Sequence, residues 1–181
     1  MADQNQPGTE KKLDEMYQLI DGINMAMFTT RRADGHLVSR PMSTQERAPE
    51  ADLFYVTDAD THKLEELEAD PHVNLAFYRD RTKEWVSVSG TARISQDREL
   101  IHRLYKPDWK AWFGDEGGAR DGGPDDPRLT LILVDVESVV YMVNNTPRPV
   151  VLFEVLKGMV TGSRPDIGEM RRVDGSELHG G

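Results

Sequence analysis

The chain contains no cysteine among its 181 residues. A disulfide, a thiolate nucleophile and a cysteine-ligated zinc or iron–sulfur centre are therefore excluded. The sequence also lacks the run of ~18 apolar residues that a transmembrane helix requires, and its start, MADQNQPGTEKK, lacks the apolar stretch of a secretory signal. These absences predict a protein that resides in the cytoplasm and has no membrane partner.

Basic residues are scarce relative to acidic ones. Lys and Arg total 22 against 32 Asp and Glu, which gives a net charge of −10. Such a field repels nucleic acid at long range, so we expect no nucleic-acid partner. Any anionic ligand must be held by a local cluster of donors and cations. The five His residues lack metal-ligand spacing, so no metal site is predicted.

The pattern of apolar residues predicts six strands with mostly short links, which indicates a small antiparallel barrel decorated by helices. In one strand Val86, Val88 and Ala92 share a face, and Gly90 indicates a bulge. We expect residues 1–9 to be disordered, residues 10–143 to form the barrel domain, and residues 144–181 to form a C-terminal helix and a flexible tail that is loose from Ser163.

Two further segments carry structural expectations. The segment Leu129–Val134 is apolar on both faces, which suggests that one face meets another subunit. The segment GDEGGARDGGPDDP, residues 114–127, is rich in Gly and Asp. We expect it to be a solvated loop with no packing capacity.

The stretch LFYVTDADTHKLEEL changes from an apolar strand to a charged helix. Thr57 ends the strand, and Thr61, His62 and Lys63 open the helix. A helix N-terminus, hydroxyls and an ammonium group together suit a phosphate monoester. A solvated Lys63 paired with Asp60 or Glu66 is the alternative, and residue chemistry alone leaves both open.

The preceding strand ends in SRPMS, which offers a second set of candidates. The Arg40 guanidinium can fork a phosphate. The strand end at Pro41, Met42 and Ser43 has backbone groups that could meet a heterocycle. An Arg-Pro pair that merely protects a sheet edge is the alternative.

In order, GHLVSRPMS, LFYVT, THKLEEL, DPHVNLAFY and WVSVSGTA resemble the FMN-binding split-barrel proteins related to pyridoxamine 5′-phosphate oxidase, in particular the general stress protein branch. The resemblance spans about Lys11 to Met142. It implies a mainly β protein with helices, a six-stranded antiparallel split β-barrel, and a homodimer with the flavin at the subunit interface. The implied cofactor is FMN, with FAD as an alternative.

The resemblance also assigns residues to the cofactor. A His in place of an obligate cation implies pH-dependent phosphate affinity, since imidazole changes charge near pH ~6.5. Trp85 stands where the oxidases place a glutamine from the partner, and it could stack on the flavin or pack in the interface. Trp109 and Trp112 are expected in the local core, and a position against the flavin ring is the alternative for Trp112. The implied cofactor-binding residues are Arg40, Pro41, Met42, Ser43, Val56, Thr57, Thr61, His62, Lys63, Trp85 and Trp112.

By this resemblance the chain is a flavin-binding general stress protein, and a flavin-dependent oxidoreductase acting on an unidentified small molecule. The alternatives are a non-catalytic flavin-binding or flavin-sensing protein and a degenerate barrel that serves as a binding scaffold. A vitamin B6 oxidase requires an Arg-x-His-x-Arg clamp near the C-terminus. Here Arg148 has no paired His, and His179 lies among the last three residues, so that substrate is not supported.

Overall fold

The computed structural model describes residues 7–144, 157 and 168–179. The helices are α1 (Thr9–Ile23), α2 (His62–Ala69), α3 (Arg98–Leu104), α4 (Lys110–Phe113) and α5 (Gly175–Leu178), and a 3-10 turn covers Pro107–Trp109. The strands are β1 (Met25–Arg31), β2 (Leu37–Ser43), β3 (Leu53–Asp58), β4 (His72–Arg79), β5 (Glu84–Ser95), β6 (Leu129–Val143) and β7 (Glu169–Asp174). None of the helices in the described ranges is long and apolar enough to cross a membrane.

The strands form one antiparallel sheet in the order β2-β1-β4-β5-β6-β3, with β7 beside β6. Strand β6 pairs with β5 along most of its 15 residues, and its opposite edge pairs with β3 in the first half and β7 in the second. A bond from the Gln45 amide to the Phe54 carbonyl, 3.1 Å, ties the end of β2 to β3. The mainly β class is confirmed, but the sheet has seven strands rather than six.

The seventh strand lies where we expected a loose tail. Glu169–Asp174 pairs with β6, and Val173 is fully buried in the main core. Arg171 is also buried and forms ion pairs with Glu15 of α1 and with Glu169. The two buried positions of this strand are an arginine and a single apolar residue, Val173, so hydropathy did not reveal it.

Parts of the terminal predictions lie outside the described residues. Of the helix expected over residues 150–162, only Lys157 lies within the described residues, and Arg148 lies outside them. Of the nine residues expected to be disordered, the first six also lie outside, and the ninth, Thr9, already belongs to α1.

The bulge expected in β5 is confirmed. The register against β6 shifts between Ser89 and Gly90. A Cβ atom at Gly90 would lie 2.3 Å from the carbonyl oxygen of Asp135, so no other residue fits this close approach of two backbones. Val86, Val88 and Ala92 face the core, as the alternation predicted.

The two apolar faces of β6 are both covered by the chain itself. Ile132 and Val134 belong to the main core, whereas Leu129, Leu131 and Leu133 pack in a second core. The second core is completed by α3 and by the side chain of Trp109. The inference that this part of β6 meets another subunit is therefore wrong.

The Gly- and Asp-rich segment 114–127 is not a simple solvated loop. It folds back on Arg128, whose side chain is only 2% exposed and pairs at 2.7 Å with Asp126, which is 0% exposed. The expectation missed this because the organising cation lies just beyond the segment, at the start of β6.

Candidate functional site

A cavity of about 860 Å³ opens where the ends of β2 and β3 meet the start of α2 and the residues around α4. Strands β2 and β3 and helix α2 follow one another in sequence, whereas α4 comes later in the chain. β2 and β3 stand at the two ends of the strand order, and they meet because the sheet curls. Eight of the eleven predicted site residues line the cavity: Pro41, Met42, Ser43, Val56, Thr57, Thr61, Lys63 and Trp112.

Lys63 is half-buried in the wall of this cavity. Its Nζ donates a hydrogen bond of 2.6 Å to Thr57 Oγ1. Burial lowers the pKa of Lys63, and the charge of Arg40 lowers that pKa further, against the opposing influence of Asp58 and Glu66. The side chain therefore carries a cation whose hydration has been partly removed.

No carboxylate in the described ranges lies within 4.0 Å of Lys63 Nζ. Glu66 is paired with Arg40 at 2.9 Å, and Asp60 lies 3.4 Å from Arg120. The alternative reading, in which Lys63 pairs with Asp60 or Glu66 as an ordinary surface lysine, is therefore wrong. Its ammonium group remains available to an anionic ligand in the cavity.

Helix α2 begins beside this ammonium group. Thr61 is the N-cap residue, but its side chain makes no capping bond, and Oγ1 instead donates to the carbonyl oxygen of Asp58 at 2.9 Å. The first amides of α2 therefore lack a side-chain acceptor. Amide groups in this position, together with the helix dipole, favour a negative group at the end of the cavity that Lys63 lines.

Arg40 is not brought to the cavity. Its Nη1 and Nη2 donate to Glu66 Oε2 and Oε1, both at 2.9 Å, and Nη1 also donates to Thr30 Oγ1 at 2.9 Å. The hydrogen bond from Arg40 is the main reason that the pKa of Glu66 is lowered. The sequence predicted that the Arg40 guanidinium forks a phosphate, whereas in the structure the fork holds the carboxylate of Glu66.

His62 and Trp85 also lie elsewhere. The His62 side chain is 91% exposed and lines a separate depression on the other side of the α2 N-terminus. The His62 side chain therefore does not contact the main cavity, and its charge could influence a ligand there only at a distance. Trp85 lies on the outer face of the sheet, opposite Tyr78 on β4 and Met142 on β6.

Two aromatic side chains, Trp112 and Phe113, line the cavity and are called here the aromatic wall. Both residues come from α4, which is four residues long. Trp112 is 80% exposed, so the expectation that it lies in the local core is wrong. Trp109 is buried in the second core, as expected, and its Nε1 donates to Gln45 Oε1 at 2.8 Å. Gln45 also lines the cavity and was missed, because nothing in the sequence signals a loop residue held by a distant indole.

The cavity lining offers a cation and a hydroxyl beside the first amides of α2, together with an indole and the backbone of the edge strand β2. It suits an elongated ligand with an anionic end and a flat ring. No group of three or more His, Asp or Glu side chains in the described parts of the chain could hold a metal ion.

The chain matches the family described as pyridoxamine 5′-phosphate oxidase like over residues 11–166, and it belongs to that family. Within the family, it is similar to the protein bli-3 of Neurospora crassa, with 33% identity over 172 residues, which cover 93% of this chain and 82% of that protein. It is also similar to general stress protein 26 of Bacillus subtilis, with 28% identity over 103 residues, which cover 55% of this chain and 68% of that protein. The resemblance to the general stress protein branch is confirmed.

Solved structures share the fold. A protein of Jannaschia sp. CCS1 that bears the name general stress protein 26 superposes with a TM-score of 0.67 at 24% identity, covering 91% of this chain and 99% of its own. The general stress FMN/FAD binding protein of Xanthomonas citri superposes with a TM-score of 0.62 at 23% identity, covering 76% of this chain and 92% of its own.

Proposed function

We propose that this chain binds a flavin, FMN with FAD as the alternative, in the 860 Å³ cavity. The observation that carries the proposal is Lys63, a half-buried cation in the cavity wall with Thr57 as its partner and no carboxylate within 4.0 Å in the described ranges. The phosphate of FMN would take the place of that missing carboxylate, and the first amides of α2 would complete its contacts.

The rest of the cavity suits the flavin ring. Its volume lies within the ~300–1,000 Å³ that is usual for small-molecule sites. Trp112 contributes an indole to the lining of the cavity, and Pro41, Met42 and Ser43 contribute a segment of the edge strand β2. Arg40, placed beside Glu66, would support the wall rather than touch the ligand. A bound flavin would supply the redox chemistry, while these residues bind and orient it.

The support from other proteins is consistent with this site. The Xanthomonas citri neighbour is named an FMN/FAD binding protein, and a Nostoc punctiforme neighbour with a TM-score of 0.59 is named an FMN binding protein. Both are less than 25% identical to this chain, so they argue for the fold. The cation at Lys63 is what extends the argument to a ligand.

The test is the affinity of Lys63→Ala for FMN and for riboflavin, which lacks the phosphate. We expect FMN to bind roughly ten- to a hundredfold more weakly, because charge-assisted contacts worth about 1.5–3 kcal/mol are lost. Riboflavin affinity should change little. His62→Ala is the matched control, since His62 is the adjacent residue but does not line the cavity. Equal FMN affinity in wild type and Lys63→Ala would refute the proposed site.

A homodimer is the second part of the proposal. The outer face of the sheet exposes Met25, Met27 and Tyr78, with Trp85 beside Tyr78. A continuous apolar surface of this kind is typical of an interface. Met25 also lines the cavity, so a second copy on this face would lie beside the flavin and could bring its own Trp85 near it.

Charge in the centre of this face tests the dimer. Met27→Glu should convert the dimer to a monomer when the mass in solution is measured by light scattering. Thr29→Glu lies on the same strand and face, but at a polar position that is less exposed than Met27. It should therefore weaken the dimer less than Met27→Glu does. A wild-type protein that is monomeric at tens of micromolar would contradict the proposed assembly.

Catalysis is the third part. We propose a flavin-dependent oxidoreductase in the cytoplasm, with a nicotinamide or deazaflavin donor and an unidentified small acceptor. The alternative is a flavin-binding or flavin-sensing protein that does not turn over. Anaerobic mixing of the flavin-loaded protein with NADH, NADPH or a reduced deazaflavin separates the two: bleaching of the flavin absorbance followed by multiple turnovers supports the enzyme, and its absence with all three donors supports the sensor.

A further inference from the structure

The Gly- and Asp-rich segment that precedes β6 is built around one buried side chain. The Arg128 guanidinium contacts Asp126 through Nε at 3.1 Å and through Nη2 at 2.7 Å. Asp126 in turn accepts the Gly122 amide at 2.7 Å and the Arg128 amide at 2.9 Å. Hydrogen bonds from Arg128 are the main reason that the pKa of Asp126 lies far below its usual range. The pair stays charged and fixed throughout the physiological range of pH.

The same guanidinium holds the end of the aromatic wall. Nη1 donates to the Phe113 carbonyl oxygen at 2.7 Å, and Nη2 donates to the Gly114 carbonyl oxygen at 3.0 Å. Phe113 is the last residue of α4, and Gly114 is its C-cap. These carbonyls have no partner within the helix, and a cation at this end complements the dipole. A helix of four residues does not persist alone, so Arg128 stabilises the orientation that Trp112 and Phe113 adopt.

Arg128 also contacts a second wall of the cavity, the turn from Thr57 to Thr61. Its carbonyl oxygen accepts the Ala59 amide at 2.7 Å. Ala59 lies in the turn between Thr57 and Thr61, and that turn delivers Lys63 to the cavity. A second link joins Arg120 of the Gly- and Asp-rich segment to Asp60 of this turn at 3.4 Å. Both walls of the cavity are therefore tied to one residue.

We propose that Arg128 is a positioning residue for the cavity: its side chain fixes the aromatic wall, its main chain fixes the turn before Lys63, and the two walls are thereby held at a set separation. The identity of the ligand between them rests on the proposed flavin site, whereas the coupling of the walls does not. Segment 114–127 then serves as the support that wraps this residue and excludes water from it.

The test compares two buried arginines. Arg128→Lys keeps the charge but cannot reproduce a fork of five donors. Arg171→Lys is the matched control, because Arg171 is similarly buried in ion pairs but lies between α1 and β7, away from the cavity. Hydrogen–deuterium exchange is followed on the full-length proteins without ligand. We expect Arg128→Lys to speed exchange in residues 110–116 and also in residues 57–63, by at least tenfold, whereas Arg171→Lys should leave both segments unchanged.

Affinities for FMN and riboflavin provide the second readout. We expect Arg128→Lys to weaken both ligands about tenfold, since the wall against the ring is loosened, in contrast to the phosphate-selective loss in Lys63→Ala. Arg171→Lys should lower the thermal midpoint yet leave both affinities within twofold. If Arg128→Lys does not fold, Glu116→Gln neutralises an exposed partner of Arg128 that lies 2.9 Å away and should speed exchange in both segments about threefold.

Several results would overturn the coupling. Exchange that rises in residues 110–116 alone, or that rises equally in the Arg171→Lys control, would reduce Arg128 to a local or general stabilising role. Unchanged FMN affinity in a variant with loosened walls would do the same. A wild-type protein that binds no flavin would refute the proposed function, while the exchange experiment would still decide whether Arg128 couples the two walls.

Discussion

Arg40 and Lys63 carry the same charge on neighbouring elements, yet the protein treats them differently. Arg40 forms a fork with Glu66 and a further bond to Thr30. Lys63, one helical turn before Glu66, has a neutral hydroxyl as its partner and faces the cavity. The Glu66 carboxylate therefore neutralises Arg40, and the charge of Lys63 is left to be neutralised by a ligand.

The comparison separates a structural cation from a binding cation. A paired and partly buried guanidinium contributes to the free energy of unfolding, because removing it leaves the partner carboxylate without its hydrogen-bond donors. An unpaired, half-buried ammonium contributes little to folding or opposes it. Mutations at the two positions should therefore act on different quantities, stability at Arg40 and ligand affinity at Lys63.

The largest expected effect is at Arg40. Arg40→Met should lower the free energy of unfolding by about 2–4 kcal/mol, because the Glu66 carboxylate loses two charge-assisted hydrogen bonds in a poorly exposed position. Urea denaturation at pH 7 measures the change. Arg32→Met is the control, since Arg32 pairs with Asp34 at 2.9 Å on an exposed turn and should matter by less than about 1 kcal/mol. An equal decrease in the free energy of unfolding in the two variants would contradict a structural role for Arg40.

The next effect concerns acid stability. The pKa of Glu66 is lowered in the folded protein, so its carboxylate adds stability above its ordinary pKa of ~4.3, and that stability is lost as the pH falls through the lowered value. Glu66→Gln should be less stable than wild type by about 1–2 kcal/mol at pH 7. The gap should narrow below pH ~4 as the wild-type carboxylate takes up a proton.

Urea denaturation between pH 3 and 7 measures this gap. Glu65→Gln is the matched control on the same helix, where the side chain is largely exposed. A gap that stays constant down to pH ~3 would show that the Arg40 fork does not depend on the charge of Glu66.

A smaller effect is expected at Lys63 in the absence of ligand. Lys63→Met should change the free energy of unfolding by less than about 1 kcal/mol at pH 7, since the lost bond to Thr57 is offset by removal of a partly desolvated charge. The pKa of Lys63 is lowered, so its charged form opposes folding at neutral pH and this opposition fades as the pH rises towards ~10.4. Denaturation between pH 7 and 10 should show a shallower rise for Lys63→Met; a loss of 3 kcal/mol would mean that Lys63 has a structural partner.

The smallest effect is expected at His62. His62→Ala should leave FMN affinity within twofold of wild type, and its dependence on pH between 6 and 8 should match that of wild type, because the imidazole does not line the cavity. Fluorescence titration at several pH values measures both. A variant that loses the pH dependence of wild type would restore His62 to the phosphate clamp that the resemblance implied.

Local patterns were enough to predict most of the sheet. Alternation in β5 and the Gly90 bulge could be read from the sequence because each depends on neighbours along one strand. Strand β7 could not be predicted in this way, since Arg171 and Glu169 are polar and Glu15, the α1 partner of Arg171, lies 156 residues away from it. The second core under β6 was hidden for the same reason: Trp109 and Leu131 meet through the fold alone.

The candidate site was predictable where chemistry and position coincide. Thr57 and Lys63 flank one strand-to-helix turn, so a donor cluster followed from their order. The prediction that Arg40 binds the phosphate failed because Glu66 occupies the guanidinium. Sequence spacing does not reveal which of two cations a carboxylate pairs with. Gln45 was not predicted as a cavity residue, because its position depends on a hydrogen bond from Trp109, 64 residues away.

Strand β6 sets the order in which this molecule can assemble. It pairs with partners that begin at Leu53, at Glu84 and at Glu169. The second core is therefore incomplete until Leu133 has been synthesised, and the main core until Val173 has been synthesised. Pairing across such long stretches of chain makes folding slow. On the ribosome, the hairpins β1–β2 and β4–β5 must therefore wait, with apolar surface uncovered, for a segment made late in translation, and that interval is when the nascent chain is most exposed to aggregation and most in need of a chaperone.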